Sequence, residues 1–194
     1  TLDGTVDGLS IEGNLLDAKQ LVVNGDFSDG TTGWNLISAT GSISGGIYSF
    51  TATSANGRLT QSVITTTGNK YYFVSKVKTS SLNINLLVTN PIKVDMHSGN
   101  GNYEILSLIS TASTTFIDVR IQDYNTSGFT QVDVDYMYAF NISTLIANKQ
   151  YSPMFDTTFD LMTDAQIKTQ MDAWVQNEWQ WIDFESLNWF PSQE

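Results

Sequence analysis

The stretch LVVNGDFSDGTTGW, residues 21–34, reads as an apolar strand over Leu21, Val22 and Val23, followed by an Asn-Gly turn at Asn24-Gly25. Asn-Gly and Asp-Gly pairs supply the positive-φ positions that tight connections need. Phe27 is large and apolar and belongs inside. An Asp/Gly/Thr loop follows, and Trp34, which closes it, is expected in the core.

From Leu21 to about Phe140 the chain keeps this grammar of short alternating runs bounded by Gly, Asn, Ser and Thr. Strands are expected over 21–23, 47–53, 58–64, 70–78, 83–88, 103–109, 115–122 and 132–140. Their β-branched and aromatic residues suit a pleated, half-buried surface. In 116–121, Ile117, Val119 and Ile121 share one face against Asp118 and Arg120. In the last strand, Val132, Val134, Tyr136 and Tyr138 alternate with Asp133, Asp135 and Met137. Eight antiparallel strands without a helical period indicate an all-β chain folded as a two-sheet antiparallel jelly-roll sandwich.

Two flanks differ from this centre. Residues 1–20 carry three turn signals separated by single apolar residues and read as a linker or docking arm. The extension 143–194 begins irregularly and then gives the clearest helix signal of the chain. Thr163 and Gln166 form a capping box, and Ile167, Met171, Trp174 and Val175 make an amphipathic stripe over about 164–180. The aromatic tail 181–190, WIDFESLNWF, is an anchor for the sandwich itself or for a partner. The jelly-roll domain is therefore 21–142. A chain beginning with Thr1 is expected to be a piece of a longer polypeptide.

Composition excludes several function classes. With 20 acidic against 9 basic side chains the net charge is −11, which repels phosphate backbones, so nucleic acid is not expected as a partner. No segment approaches the roughly 18 apolar residues of a membrane helix, so no membrane is expected either. Cysteine is absent, and His97 is the single histidine, so thiolate chemistry, a zinc site or a Ser-His-Asp triad has almost no material. His97 lies in the turn HSGNGN (97–102) and is expected in an exposed loop. Of five Glu only Glu104 falls within the sandwich, which leaves little for a glycosidase carboxylate pair. The chain is not expected to be an enzyme.

Residues 21–34 are similar to the first strand of carbohydrate-binding modules of the family 4/9/22 jelly-roll type, which read like N-L-V-x-N-G-x-F-E-x-G…G-W. Asn24, Gly25, Phe27, Gly30, Gly33 and Trp34 stand in those places. KYYFVSKVK (70–78) resembles that family's Y-Y-x-S-x-x-V-K strand, and VDVDYMYAF (132–140) its I-D-D-V-x-L ending. The resemblance implies a structural Ca²⁺ between the first and closing strands. Asp135 matches the first Asp of the ending. Ser28 stands where a Glu is expected, with Asp26 or Asp29 as substitutes; the other reading makes these two acids turn residues that cap their own backbone. FNISTLI (140–146) followed by MTDAQIKTQMDAW (162–174) resembles an ending of tail and baseplate proteins of phages of Gram-positive bacteria. ANKQYSPMFDTTFD departs from that pattern between the two pieces.

Together the resemblances imply a non-catalytic module on the outward side of a phage virion, in the tail or baseplate, adhering to host cell-wall polysaccharide beside other virion subunits. An outward row Asp118, Arg120, Gln122 is a candidate for reading sugar hydroxyls, or a solvated sheet face. Tyr72, Tyr103, Tyr124 and Arg58 are further candidates. Two alternatives stay open. One is an assembly module without glycan affinity; the other is an accessory domain of a bacterial surface protein or glycanase.

Overall fold

The computed structural model describes residues 20–147 and 161–176. Ten strands form two five-stranded antiparallel sheets. They are β1 (Asn35–Ile37), β2 (Ala39–Ser44), β3 (Ile47–Ala52), β4 (Arg58–Ile64), β5 (Lys70–Lys78), β6 (Ile84–Val88), β7 (Lys93–Met96), β8 (Tyr103–Thr111), β9 (Phe116–Asp123) and β10 (Gln131–Asn141). The first sheet has the order β1-β4-β9-β6-β7 and the second β2-β3-β10-β5-β8. The chain changes sheet at almost every connection, the path of a jelly roll. Two helices follow, α1 (Ile142–Ala147) and α2 (Asp164–Gln176).

Three strands escape the sequence pattern, β1, β2 and β7, and each is a sheet edge. An edge strand needs one neighbour for its backbone, and with only Leu36, Ala39 and Ile43 of β1 and β2 packed against the core there is little alternation to read. ATGSIS in β2 carries one large apolar residue in six.

The expected strand 21–23 is not one. Val23 donates its backbone N–H to Gln61 Oε1 at 2.7 Å, and Gln61 Nε2 returns a bond to Val23 O at 2.9 Å. A side chain of β4 thus does the work of a neighbouring strand. Leu21 and Met137 complete the tie to β10, through Leu21 N–H to Ala139 O and Met137 N–H to Gly25 O, both 2.8 Å. The segment is a plug that joins both sheets. Asn24 holds it from inside: its side chain donates to Gly30 O and accepts from Asp29 N–H, while its carbonyl accepts the Trp34 indole N–H at 2.9 Å. Gly25 is obligatory, because a Cβ there would lie 2.3 Å from Met137 O. Val22, Phe27 and Trp34 enter the inter-sheet core.

That core takes Tyr71, Phe73 and Val77 from β5, and Ile117, Val119 and Ile121 from β9, as the alternation requires. On β10 the expected face assignment breaks. Register shifts at a bulge between Val134 and Tyr136, so Asp135 is the extra residue. A one-residue insertion reverses parity beyond it. Val132 and Val134 face the core, but so does Met137, whereas Tyr136 and Tyr138 turn to the outer face and stack with centroids 5.1 Å apart.

Part of the outer face of the second sheet is closed to water. Tyr72, Val74, Ile109, Tyr138 and Phe140 form a second apolar cluster with Ile142 and Leu145 of α1 and Ile167, Met171 and Val175 of α2. The helices are a third layer. α2 starts as expected: Thr163 N–H and Gln166 Oε1 are 2.9 Å apart, and Thr163 Oγ1 accepts the Gln166 N–H at 3.3 Å. The stripe at 167, 171 and 175 seals the cluster. The arm before Gln20, the Trp174 side chain, residues 177–180 of the expected helix and the tail 181–190 lie outside the described residues.

His97 corrects another expectation. It is 2% exposed, with Nε2 3.1 Å from both Val77 O and Asn102 O and Nδ1 accepting from Gly99 N–H. The turn closes over the ring because Glu104 fastens it, accepting from the Ser98 hydroxyl, the Ser98 N–H and the Asn100 amide. Burial alone raises the Glu104 pKa, but the bonds from Ser98 and Asn100 outweigh it and leave the group below its ordinary value. Glu104 therefore stabilises the turn at pH above the unfolded Glu value, ~4.3. That contribution is lost as pH falls through the lower folded value. The stability difference between wild type and Glu104→Gln should be constant near neutrality and vanish only at the acid end; a difference independent of pH down to denaturation would refute the ionised anchor.

Candidate functional site

On the first sheet the outward residues are set by register. Leu59 and Val63 of β4 point into the core, so Arg58, Thr60, Ser62 and Ile64 face out. Across β9 they meet Gln122, Arg120, Asp118 and Phe116 in that order. β1 adds Asn35 opposite Thr60 and Ile37 opposite Arg58. Asn35, Ile37, Arg58, Thr60, Ser62, Asp118 and Arg120 line an open pocket of 330 Å³.

The polar groups in it are ordered. Arg120 Nη2 donates to Asp118 Oδ2 at 2.8 Å, and the Ser62 hydroxyl donates to Asp118 Oδ1 at 2.5 Å. Burial raises the Asp118 pKa; the Ser62 and Arg120 bonds, with the charges of Arg120 and Arg58, overcome this and hold the carboxyl below its usual range. Arg58 Nη1 donates to Asn56 O at 3.1 Å. The Nε atoms of Arg58 and Arg120 are buried without partners. Apolar surface borders this row: Phe116 is 48% exposed, its register neighbour Ile64 85%, and Ile37 39%. A wall of polar donors beside exposed apolar faces offers one ligand both hydrogen bonds and C–H contact.

The fold thus brings together three of the seven predicted sugar-binding residues, Arg58, Asp118 and Arg120. Gln122 lies on the same face but is buried and tied to Asn56 Oδ1 at 3.0 Å. Tyr72 has to be corrected: it faces outward on the second sheet, as alternation requires, but α2 covers it completely, and its hydroxyl donates to Asp172 Oδ1 at 2.7 Å. Tyr103 belongs to the second sheet too, with Lys76 and Lys78 ammonium groups 5.3 and 5.7 Å from its ring centroid. Tyr124 is exposed just past the end of β9, with its N–H on Asn83 O. Sequence reasoning missed Phe116, Thr60 and Ser62, although the parity that turns Ile117 and Val63 inward assigns them outward. Asn35 and Ile37 carried no signal, since β1 has only three residues.

The three acids suggested for Ca²⁺ do not form one cluster; among the described residues no three His, Asp or Glu side chains gather. Asp135 is paired with Lys76 Nζ at 2.7 Å. Asp26 Oδ1 accepts from the Ser28 N–H and hydroxyl at 3.2 and 2.9 Å, a turn-capping role, and Asp29 contributes its N–H to Asn24 Oδ1 at 2.9 Å.

Comparison with solved structures places the fold. A structure described as "CBM4 structure and function", a family 4 carbohydrate-binding module, superposes over 62% of this chain and 99% of its own, with a TM-score of 0.51 at 13% identity. The shared fold is the two-sheet jelly roll. A family 61 module in complex with β-1,4-galactotriose aligns over 63% of this chain and 99% of its own (TM-score 0.47, 15% identity). The enzymatically active domain of tailspike protein 4 of bacteriophage CBA120 aligns over 63% of this chain and 21% of its own (TM-score 0.46, 11% identity). No family model and no curated protein matches the sequence.

Proposed function

We propose that the protein is a non-catalytic saccharide-binding module whose site is the pocket between β1, β4 and β9. The observation that carries this reading is the convergence of Arg58, Arg120, Asp118, Asn35 and Thr60 around one open pocket, next to the exposed Phe116. Its setting in a phage tail or baseplate, adhering to host cell-wall saccharide, is supported by the likeness of the 140–146 and 162–174 segments to tail-protein endings.

Binding of the full chain to a glycan array and to host cell-wall preparations tests the reading, and its absence in a folded sample overturns it. Arg120→Ala should weaken saccharide binding by about 10–100-fold, the range of one or two charge-assisted hydrogen bonds. Its pair with Asp118 is partly exposed and is worth only about 0–1 kcal/mol of stability, so the melting temperature should move by at most a few degrees. A large thermal shift with unchanged affinity would give Arg120 a structural role instead.

A further inference from the structure

The chain contains two arginines in 194 residues, and both line this one pocket. Their charges are not balanced there. Asp118 is the single carboxylate in the lining, and both its oxygens are engaged, by Ser62 and by Arg120. Arg58 forms no salt bridge among the described residues, and its Nη1 donates to the neutral Asn56 carbonyl. The pocket therefore holds an excess positive charge in a molecule whose net charge is −11. A half-buried guanidinium outside any salt bridge, with its Nε buried and unpartnered, gives up solvation on folding. Guanidinium forks match the paired oxygens of a carboxylate or phosphate far better than single hydroxyls.

We propose that the ligand of this pocket is an acidic saccharide, whose carboxylate or phosphate oxygens sit between the Arg58 and Arg120 guanidiniums. This rests on the saccharide reading above and names the chemical class of its ligand. The polar wall of Asn35, Thr60 and Ser62 would read neighbouring hydroxyls, and Ile37 would cover an apolar sugar face. Beyond the ~8–10 Å Debye length salt screens the net negative charge of the molecule, so the local excess of guanidinium charge decides what the pocket attracts. Contacts to the attached sugar add to the hold on its acid group.

Titration calorimetry of the full chain against trigalacturonate, a disaccharide phosphate and neutral galactotriose tests the proposal. One of the two acidic probes should bind at least ~10-fold tighter than the neutral one, a gap of the size expected for one charge-assisted fork. Arg58→Gln should bring that ratio close to one. Arg58→Lys, which keeps the charge and loses the fork, should give an intermediate ratio and serves as the second variant where the glutamine fails to fold. Whichever acidic probe binds identifies the source of the anion. Equal binding of acidic and neutral probes, sensitive to Arg120→Ala, overturns the acidic ligand and keeps the saccharide reading. Binding of none of the three by a folded sample overturns both. Acetate or inorganic phosphate binding as tightly as the saccharides would also refute the proposal, since the site would then hold an adventitious ion only.

Discussion

Replacing Phe27 with alanine is expected to destabilise the protein by about 3–5 kcal/mol, the cost of deleting a fully buried aromatic ring and leaving a cavity. The ring is 1% exposed and sits between Trp34, with centroids 5.3 Å apart, and Tyr48, edge-on at 5.4 Å. Both neighbours are large, and Trp34 is fixed by its bond to Asn24 O, which limits collapse of the site. Phe27 has φ of 56°, in the left-handed region. Alanine keeps the Cβ and therefore keeps that strain, so the measured difference reports packing alone. Denaturant unfolding should show a lower midpoint with an unchanged slope, and the melting temperature should fall by roughly 10–15 °C. A loss under about 1 kcal/mol would mean that the plug 21–34 contributes little to the core, contrary to its place between the sheets.

The second large effect is expected at Asp172, which fastens α2 to the second sheet. Its Oδ1 accepts from the hydroxyls of Tyr72 at 2.7 Å and Ser107 at 2.5 Å, and its Oδ2 from Lys168 Nζ at 2.7 Å. Tyr72 and Ser107 are fully buried. Burial first, and then the Asp172 charge, push the Tyr72 hydroxyl well above its ordinary pKa, so it stays a neutral donor. Asp172→Ala leaves two buried hydroxyls without their shared acceptor and should cost about 2–4 kcal/mol, since an unsatisfied buried group costs about 1–3 kcal/mol. Asp172→Asn retains an acceptor and should lose less than half as much. Adding Tyr72→Phe to Asp172→Ala should restore part of the loss, because removing both partners is cheaper than orphaning one. Thermal unfolding with limited proteolysis of α2 reads all three; equal stability of Asp172→Ala and wild type would show that the helix layer is held by its apolar stripe alone.

How much of this was legible depends on which residues carried a periodic signal. FIDVRI in β9 declared both its inward face and its outward Asp118–Arg120 row, and the row became one wall of the pocket. KYYFVSKVK declared its faces too, yet parity says only which side a residue is on. What covers that side is a matter of distant chain, and α2, about a hundred residues later, turned Tyr72 from a surface candidate into a buried one. The same limit explains His97, whose Gly/Asn-rich turn looks exposed until Glu104 folds it over the ring.

By itself, then, the sequence determined the jelly-roll class, the central strands and the start of the terminal helix, because alternation, turn residues and a capping box are local signals of backbone geometry. Only the tertiary structure decided the rest. The bulge at Asp135 sends Met137 into the core and Tyr138 out, and no local residue choice announces an inserted parity change. Residues 21–23 look like a strand, but Gln61 satisfies the Val23 backbone with a side chain from 38 residues away. Arg58 and Arg120 lie 62 positions apart and meet because β4 and β9 pair in one register. Pairing of strands remote in sequence is settled by the summed burial of both faces, and the candidate site exists only once that pairing is made.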